Sequence, residues 1–242
     1  MRNALRNLCW LLVGAACVGS VATAFADVLY DNSENDLLTR FNPGSSQVGS
    51  EINLSGSGQS MTYFSFEFYA INTINPSTLS SADINADVIF YDNTGAPYNT
   101  YATPNNVLYN SGSFSVSGLL YGSPTTPTTR DTIIFNESDF GGPLSLGGIN
   151  TLTWTVQFSG LGAGDEVGLD IYGPPTVGSN HGDYWLWNGT SWELDEIPGF
   201  APGDAFASVV QGTLVPEPSV FALASLGGFG LLAFLRRLRR AG

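Results

Sequence analysis

Cysteine, lysine and histidine are absent or nearly absent from this sequence. It has no lysine, one histidine and two cysteines, Cys9 and Cys17, which both lie within the first 26 residues. Once those residues are removed, the remaining chain has no thiol. A disulfide, a cysteine-ligated metal and a cysteine nucleophile are then all excluded.

Positive charge is equally scarce in the central part of the chain. Residues 27–214 hold twenty of the 21 acidic residues but only two cations, Arg40 and Arg130. This part is therefore far more acidic than the formal net charge of −13 for the whole chain indicates. A surface of this sign repels nucleic acid, so we expect no nucleic-acid partner.

The first 26 residues have the order of a secretory signal peptide. Arg2 and Arg6 precede the largely apolar run 8–21, and the small-residue site 24–26 follows it. A retained membrane helix is the alternative, but the run is short and the Ala-x-Ala site comes at once. We expect the Sec translocon to export the chain and signal peptidase to cleave it before Asp27.

The other end carries a predicted membrane segment. Pro216, Glu217 and Pro218 precede seventeen uncharged residues, 219–235. As a helix rising ~1.5 Å per residue, that segment spans roughly 26 Å, close to the ~30 Å of a bilayer core. A basic cluster follows, made of Arg236, Arg237, Arg239 and Arg240. These arginines should stay on the cytoplasmic side, which leaves everything before the prolines outside.

This order of parts over residues 215–242 resembles the PEP-CTERM sorting signal of substrates of exosortase, a membrane-embedded cysteine protease. By that resemblance, Pro216, Glu217 and Pro218 form the motif that exosortase reads, with processing nearby. The resemblance also implies a Gram-negative host, an inner-membrane-anchored precursor and a final place at the cell surface or in the extracellular biofilm matrix. An ordinary membrane anchor with a proline-containing loop is the alternative.

Residues 27–214 show the period-two alternation of β-strands. In segment 62–69, Phe64, Phe66 and Phe68 share one face, and segment 151–158 alternates in the same way. Further strands are predicted at 28–30, 51–54, 86–91, 107–109, 113–117, 132–135, 167–172, 184–187, 192–194 and 206–214. The pattern predicts one all-β domain between the signal helix and the transmembrane helix. Its predicted form is an antiparallel β-sandwich, either jelly-roll-like or immunoglobulin-like.

Candidate catalytic residues are few. His181 is the only histidine, and no Gly-x-Ser-x-Gly elbow is present to supply a serine nucleophile. Adjacent carboxylates, such as Asp165-Glu166 and Asp195-Glu196, are expected on the solvated turns of so acidic a domain. We therefore predict no catalytic residues, no cofactor, and a non-enzymatic surface or matrix protein.

Calcium is the metal that suits this composition, because it takes oxygen ligands. Segment 83–87 begins like an EF-hand loop but lacks the glycine that should follow, and Thr94 stands where the bidentate glutamate belongs. As part of a strand, its polar residues would face solvent. A structural Ca²⁺ elsewhere, with Asp31, Glu34 and Asp36 as candidate ligands, stays open.

Three tryptophans form the remaining unusual feature. Asn188-Gly189 predicts a two-residue type I′ hairpin in which Trp187 faces Thr190 and Trp185 faces Trp192. Trp185, Trp187 and Trp192 would then gather on one face. If exposed, they would form a platform for the sugar rings of an exopolysaccharide; if buried, they belong to the sandwich core, which is the commoner arrangement.

Overall fold

A computed structural model describes residues 26–56, 58–74, 84–99, 101–116, 130–196 and 201–214. Almost all of the predicted signal peptide and the whole of segment 215–242 lie outside these ranges. Within them the chain has no helix, and thus none with the length and apolar character needed to cross a membrane.

The described residues form eighteen strands. The first nine are β1 (Asp27–Asn32), β2 (Asp36–Phe41), β3 (Gln47–Asn53), β4 (Gly58–Asn72), β5 (Asn85–Asp92), β6 (Pro97–Tyr98), β7 (Tyr101–Ala102), β8 (Val107–Asn110) and β9 (Phe114–Ser115). The others are β10 (Arg130–Asn136), β11 (Leu144–Ser145), β12 (Thr151–Ser159), β13 (Asp165–Tyr172), β14 (Ser179–Asn180), β15 (Asp183–Trp187), β16 (Trp192–Glu196), β17 (Ala205–Phe206) and β18 (Ser208–Leu214).

These strands build two antiparallel sheets of eight strands each. Sheet 1 has the order β1-β18-β4-β13-β17, with β10 and β11 paired to β4 and β2 paired to β13. Sheet 2 has the order β16-β15-β3-β12-β5-β8, with β14 paired to β3 and β9 paired to β5. Strands β6 and β7 form a separate two-stranded ribbon, which follows β5 in the chain.

Aromatic side chains fill the space between the two sheets. Phe64 of β4 lies 4.7 Å from Phe90 of β5 and 5.2 Å from Trp154 of β12, measured between ring centroids. Phe66 also contacts Trp154, at 5.2 Å. All four side chains are at most 1% exposed, and burial of each stabilises the fold by about 1.5–3 kcal/mol. This packing is that of a β-sandwich.

The all-β prediction is confirmed, and each strand expected from alternation is present with shifted ends. Phe64, Phe66 and Phe68 do share the core face of β4. Several elements were not predicted: β2, the β6–β7 ribbon, and the two-residue strands β11 and β14. Strand β2 escapes the alternation rule because Leu38 is exposed and has a positive φ of 55°, which interrupts the period.

Sheet 1 brings both cations of the central part of the chain to one buried carboxylate. Asp170 is 0% exposed and lies on the outer face of β13, opposite Arg40 of β2. Its Oδ1 is 3.6 Å from Arg40 Nε and 3.3 Å from Arg130 Nε. Arg130 also pairs with Asp36. We call these four residues the Asp170 cluster; it ties β2, β10 and β13 together.

Burial makes Asp170 sensitive to pH. It raises the pKa of this carboxyl from its ordinary 3.8 to about 6, and Arg130 and Arg40 offset part of the rise. Because the folded chain holds the proton more tightly than the unfolded chain, the protonated form contributes stability in full below pH 3.8. That contribution is lost as the pH rises through about 6.

We predict that Arg130→Ala lowers the free energy of unfolding by about 3 kcal/mol at pH 8, because an ionised Asp170 keeps only its longer pair with Arg40. At pH 4.5 the loss should be less than half as large, since a protonated Asp170 needs no partner charge. Urea unfolding of the two proteins at both pH values measures the difference.

The matched control is the double variant Arg130→Ala/Asp170→Asn, which leaves no fully buried carboxylate without its main partner, since Asp36, which also loses Arg130, is 29% exposed. Its loss of stability should be the same at the two pH values. A loss for Arg130→Ala alone that does not change with pH would contradict the assigned role of Asp170.

Candidate functional site

The outer face of sheet 2, which points away from the core, has an unusual property: the polar residues at its centre are buried. Thr153 and Thr155 of β12 alternate with the core residue Trp154 and so point outward, yet both are 0% exposed. Gln47 and Glu51 of β3 lie on the same face and are each 8% exposed. Something from the chain itself must therefore cover the centre of this face.

Gln47 Nε2 donates to Thr155 Oγ1 at 2.8 Å, and Thr153 Oγ1 donates to Asn93 Oδ1 at 3.1 Å. Aromatic side chains lie on the same face. They are Tyr91, Tyr98, Trp185, Trp187 and Trp192, and we call them the aromatic layer. Trp187 and Trp192 are cross-strand neighbours with ring centroids 5.2 Å apart. Trp192 also meets Tyr91 edge to face at 5.3 Å. The Tyr91 hydroxyl accepts a hydrogen bond of 3.1 Å from Gln47 Nε2, which holds its ring over the sheet.

The contact between Trp192 and Tyr91 reveals the shape of this face. These rings belong to β16 and β5, which are four strand positions apart in sheet 2. A flat sheet with strands about 4.8 Å apart would separate them by roughly 19 Å, too far for two side chains to bridge. Sheet 2 must therefore curl, with its outer face concave.

A glycine permits close packing at the bottom of the concavity. Gly49 lies opposite Trp185 on one side and Thr155 on the other. A Cβ atom at this position would come within 1.8 Å of the Trp154 carbonyl oxygen. A residue with a side chain cannot occupy this place without moving β12, so glycine permits β3 and β12 to approach this closely.

Trp185 is shielded from solvent, but in a position that the sequence did not predict. It is 0% exposed although it lies on the outer face of sheet 2, away from the core. Tyr98 of the β6–β7 ribbon packs over the Trp185 ring, with the ring centroids 6.2 Å apart. The Trp185 Nε1 donates a 3.2 Å hydrogen bond to Glu51 Oε2. Asn93 Nδ2 donates to the same oxygen at 2.8 Å. No sugar can therefore stack on Trp185.

Trp187 and Trp192 are half-buried, so each leaves part of its ring in contact with solvent. The predicted hairpin register was wrong: Trp187 pairs with Trp192, and Trp185 pairs with Leu194. The loop has four residues, because Asn188 Oδ1 accepts hydrogen bonds of 2.9 Å from the backbone N–H groups of Thr190 and Ser191. The prediction that the three tryptophans share one face is nevertheless confirmed.

Carboxylates continue the same face beyond the tryptophans. Asp183 lies two residues before Trp185 on β15 and is paired with Glu196 of β16. Burial raises the pKa of Asp183 and of Glu51, and the negative charge of Asp183 adds to the rise at Glu51. The three carboxylates form a row across β16, β15 and β3, which we call the acidic row.

His181 stands beside the acidic row, close to Glu51 and Asp183. Its ring packs edge to face on Tyr101 of the ribbon at 4.7 Å. The Tyr101 hydroxyl in turn hydrogen-bonds Asp183. These contacts fix the ribbon to the edge of sheet 2.

The candidate calcium ligands do not come together. Asp31 accepts a hydrogen bond from the Ser33 hydroxyl at 2.7 Å, whereas Asp36 is engaged by Arg130. Asp83 lies outside the described residues. Across the ranges that the structure describes, no three histidine, cysteine, aspartate or glutamate residues are placed to hold a metal ion.

Sequence reasoning missed Gln47, Glu51, Tyr91 and Tyr98 as neighbours of the tryptophans. Tyr91 was inside a predicted strand, but only the sheet order and the curl bring it to Trp192. Comparison of the chain with protein-family models, with curated proteins and with solved structures gave no match.

Proposed function

We propose that this chain is a non-enzymatic, exported protein of the cell surface or extracellular matrix that holds exopolysaccharide on Trp187 and Trp192. The observation that carries the binding part is the pair of half-buried tryptophan rings on a concave sheet face. Concave sheets with exposed aromatic rings suit extended sugar chains, because the ring faces stack on sugars and the curvature encloses the chain.

The export part of the proposal is supported by the sequence at both ends. The signal peptide over residues 1–26 brings the chain to the Sec translocon. The Pro216-Glu217-Pro218 motif and the segment after it direct the precursor to exosortase in the inner membrane. An acidic surface without lysine suits a protein that must stay soluble outside the cell.

The rigidity of the two rings supports binding as well. Trp187 is held by its neighbour Trp192, and Trp192 by Tyr91, which Gln47 fixes in turn. Rings that are already ordered lose little conformational entropy when a ligand binds. Within the sandwich class we favour the jelly-roll-like form, because successive strands β3, β4 and β5 alternate between the two sheets.

We predict that the double variant Trp187→Ala/Trp192→Ala binds exopolysaccharide from the producing bacterium at least about tenfold more weakly, or about 1.4 kcal/mol. The reason is the loss of both stacking surfaces. Isothermal titration of the full-length protein in detergent measures the affinity.

The matched control is Tyr63→Ala, which removes a half-buried aromatic ring from β4 of sheet 1. It should leave the affinity unchanged. Binding that survives the double tryptophan variant would exclude this face as the polysaccharide site.

For the sorting part we predict that the mature protein from wild-type cells lacks residues 219–242, whereas cells without exosortase retain them. Intact mass spectrometry of the protein from both strains distinguishes the two forms. If residues 219–242 are present in both strains, the sorting assignment is wrong.

A further inference from the structure

We infer that the polysaccharide bound by this face carries ammonium groups, as a polymer of amino sugars with free amines does. The inference rests on the proposed function and names the chemical class of its ligand. It follows from where the chain places its few cations and many carboxylates.

The first step concerns the cations. Arg40 and Arg130 are the only lysine or arginine residues between 27 and 214. Both are engaged with Asp170 on the outer face of sheet 1, which is the opposite side of the sandwich from the aromatic layer. A polymer of uronic acids or of sulfated or phosphorylated sugars would therefore find no fixed positive charge beside Trp187 and Trp192. Its negative charges would meet only repulsion from the carboxylates of this face.

The second step concerns the carboxylates. Trp192 and Glu196 project from the same face of β16, four residues or about 13 Å apart. Asp183 is the direct cross-strand neighbour of Glu196, so the negative charge lies in line with the tryptophan pair. A sugar chain that stacks on the rings and continues along β16 passes two members of the acidic row, the exposed Glu196 and the half-buried Asp183, whereas Glu51 is buried.

The third step concerns the rings themselves. A cation above the face of an indole ring is attracted by the electrons of the ring, and tryptophan is the strongest of the aromatic residues in this respect. An ammonium sugar is thus attracted by both parts of the surface, the rings and the carboxylates. A neutral sugar of the same shape gains from stacking alone.

Two oligosaccharides that differ only in charge test the inference: the β-1,4-linked hexamer of glucosamine and the same hexamer fully N-acetylated. Titration of the full-length protein at low salt should give at least about tenfold tighter binding for the glucosamine hexamer. High salt should reduce this difference, because the attraction is between exposed charges.

Two variants locate the effect. Glu196→Gln should weaken binding of the glucosamine hexamer severalfold and leave the acetylated hexamer unchanged. The matched control Asp131→Asn removes the same charge from an exposed position of β10 in sheet 1 and should change neither affinity.

A lysine hexapeptide separates this site from unspecific attraction between an acidic protein and a polycation. The variant Trp187→Ala/Trp192→Ala should lose the glucosamine hexamer while its weak affinity for the peptide stays the same. Equal losses for the two ligands, or none for either, would overturn the inference.

Different results would contradict the ammonium inference and the proposed polysaccharide site. Equal affinity for the two hexamers would overturn the ammonium inference and leave stacking on the tryptophans intact. Binding of neither hexamer, together with binding of exopolysaccharide that does not depend on Trp187 and Trp192, would overturn both.

Discussion

The contact between Trp192 and Tyr91 is the interaction on which the rest of the site depends. It joins strands four positions apart and so requires sheet 2 to curl. The curl makes the outer face concave, and Thr153 and Thr155 at its centre are completely buried. The centre of sheet 2 is thus buried on both faces, by the sandwich core on one and by its own aromatic layer on the other. What remains accessible is the upper surface of that layer, which is formed by Tyr98, 39% exposed, and by the half-buried Trp187 and Trp192.

The two sheets differ in the charges that their outer faces carry. The Asp170 cluster uses both available arginines to neutralise one buried carboxylate on sheet 1, where a lone charge would cost several kcal/mol. In the part of the chain that the structure describes, the outer face of sheet 2 has no lysine or arginine, so the acidic row lies beside the tryptophans without such a partner. The molecule therefore has a cation-containing face that serves stability and an acidic, aromatic face that suits a ligand.

The sequence allowed the strands to be predicted, because alternation reports which side of a strand is buried whatever covers it. It also placed the three tryptophans on one face. The hairpin register was missed, because Asn188 caps a four-residue loop with its side chain instead of entering a two-residue turn. For Trp185 the sequence suggested two positions, an exposed platform or the sandwich core, and neither is right. The ring points away from the core but is buried, because the β6–β7 ribbon lies over the curled sheet. Contacts such as Tyr91 with Trp192, or Arg130 with Asp170, join residues far apart in the chain and depend on a strand order that local pattern does not encode.

The most direct test of the account is the fluorine spectrum of the full-length protein labelled with 5-fluorotryptophan, followed during titration with the glucosamine hexamer. Single Trp→Phe variants assign the resonances. If the accessible part of the aromatic layer is the binding surface, the signals of Trp187 and Trp192 shift with added sugar while that of Trp154, in the core, stays in place. A titration that leaves Trp187 and Trp192 unmoved while the sugar binds would contradict it.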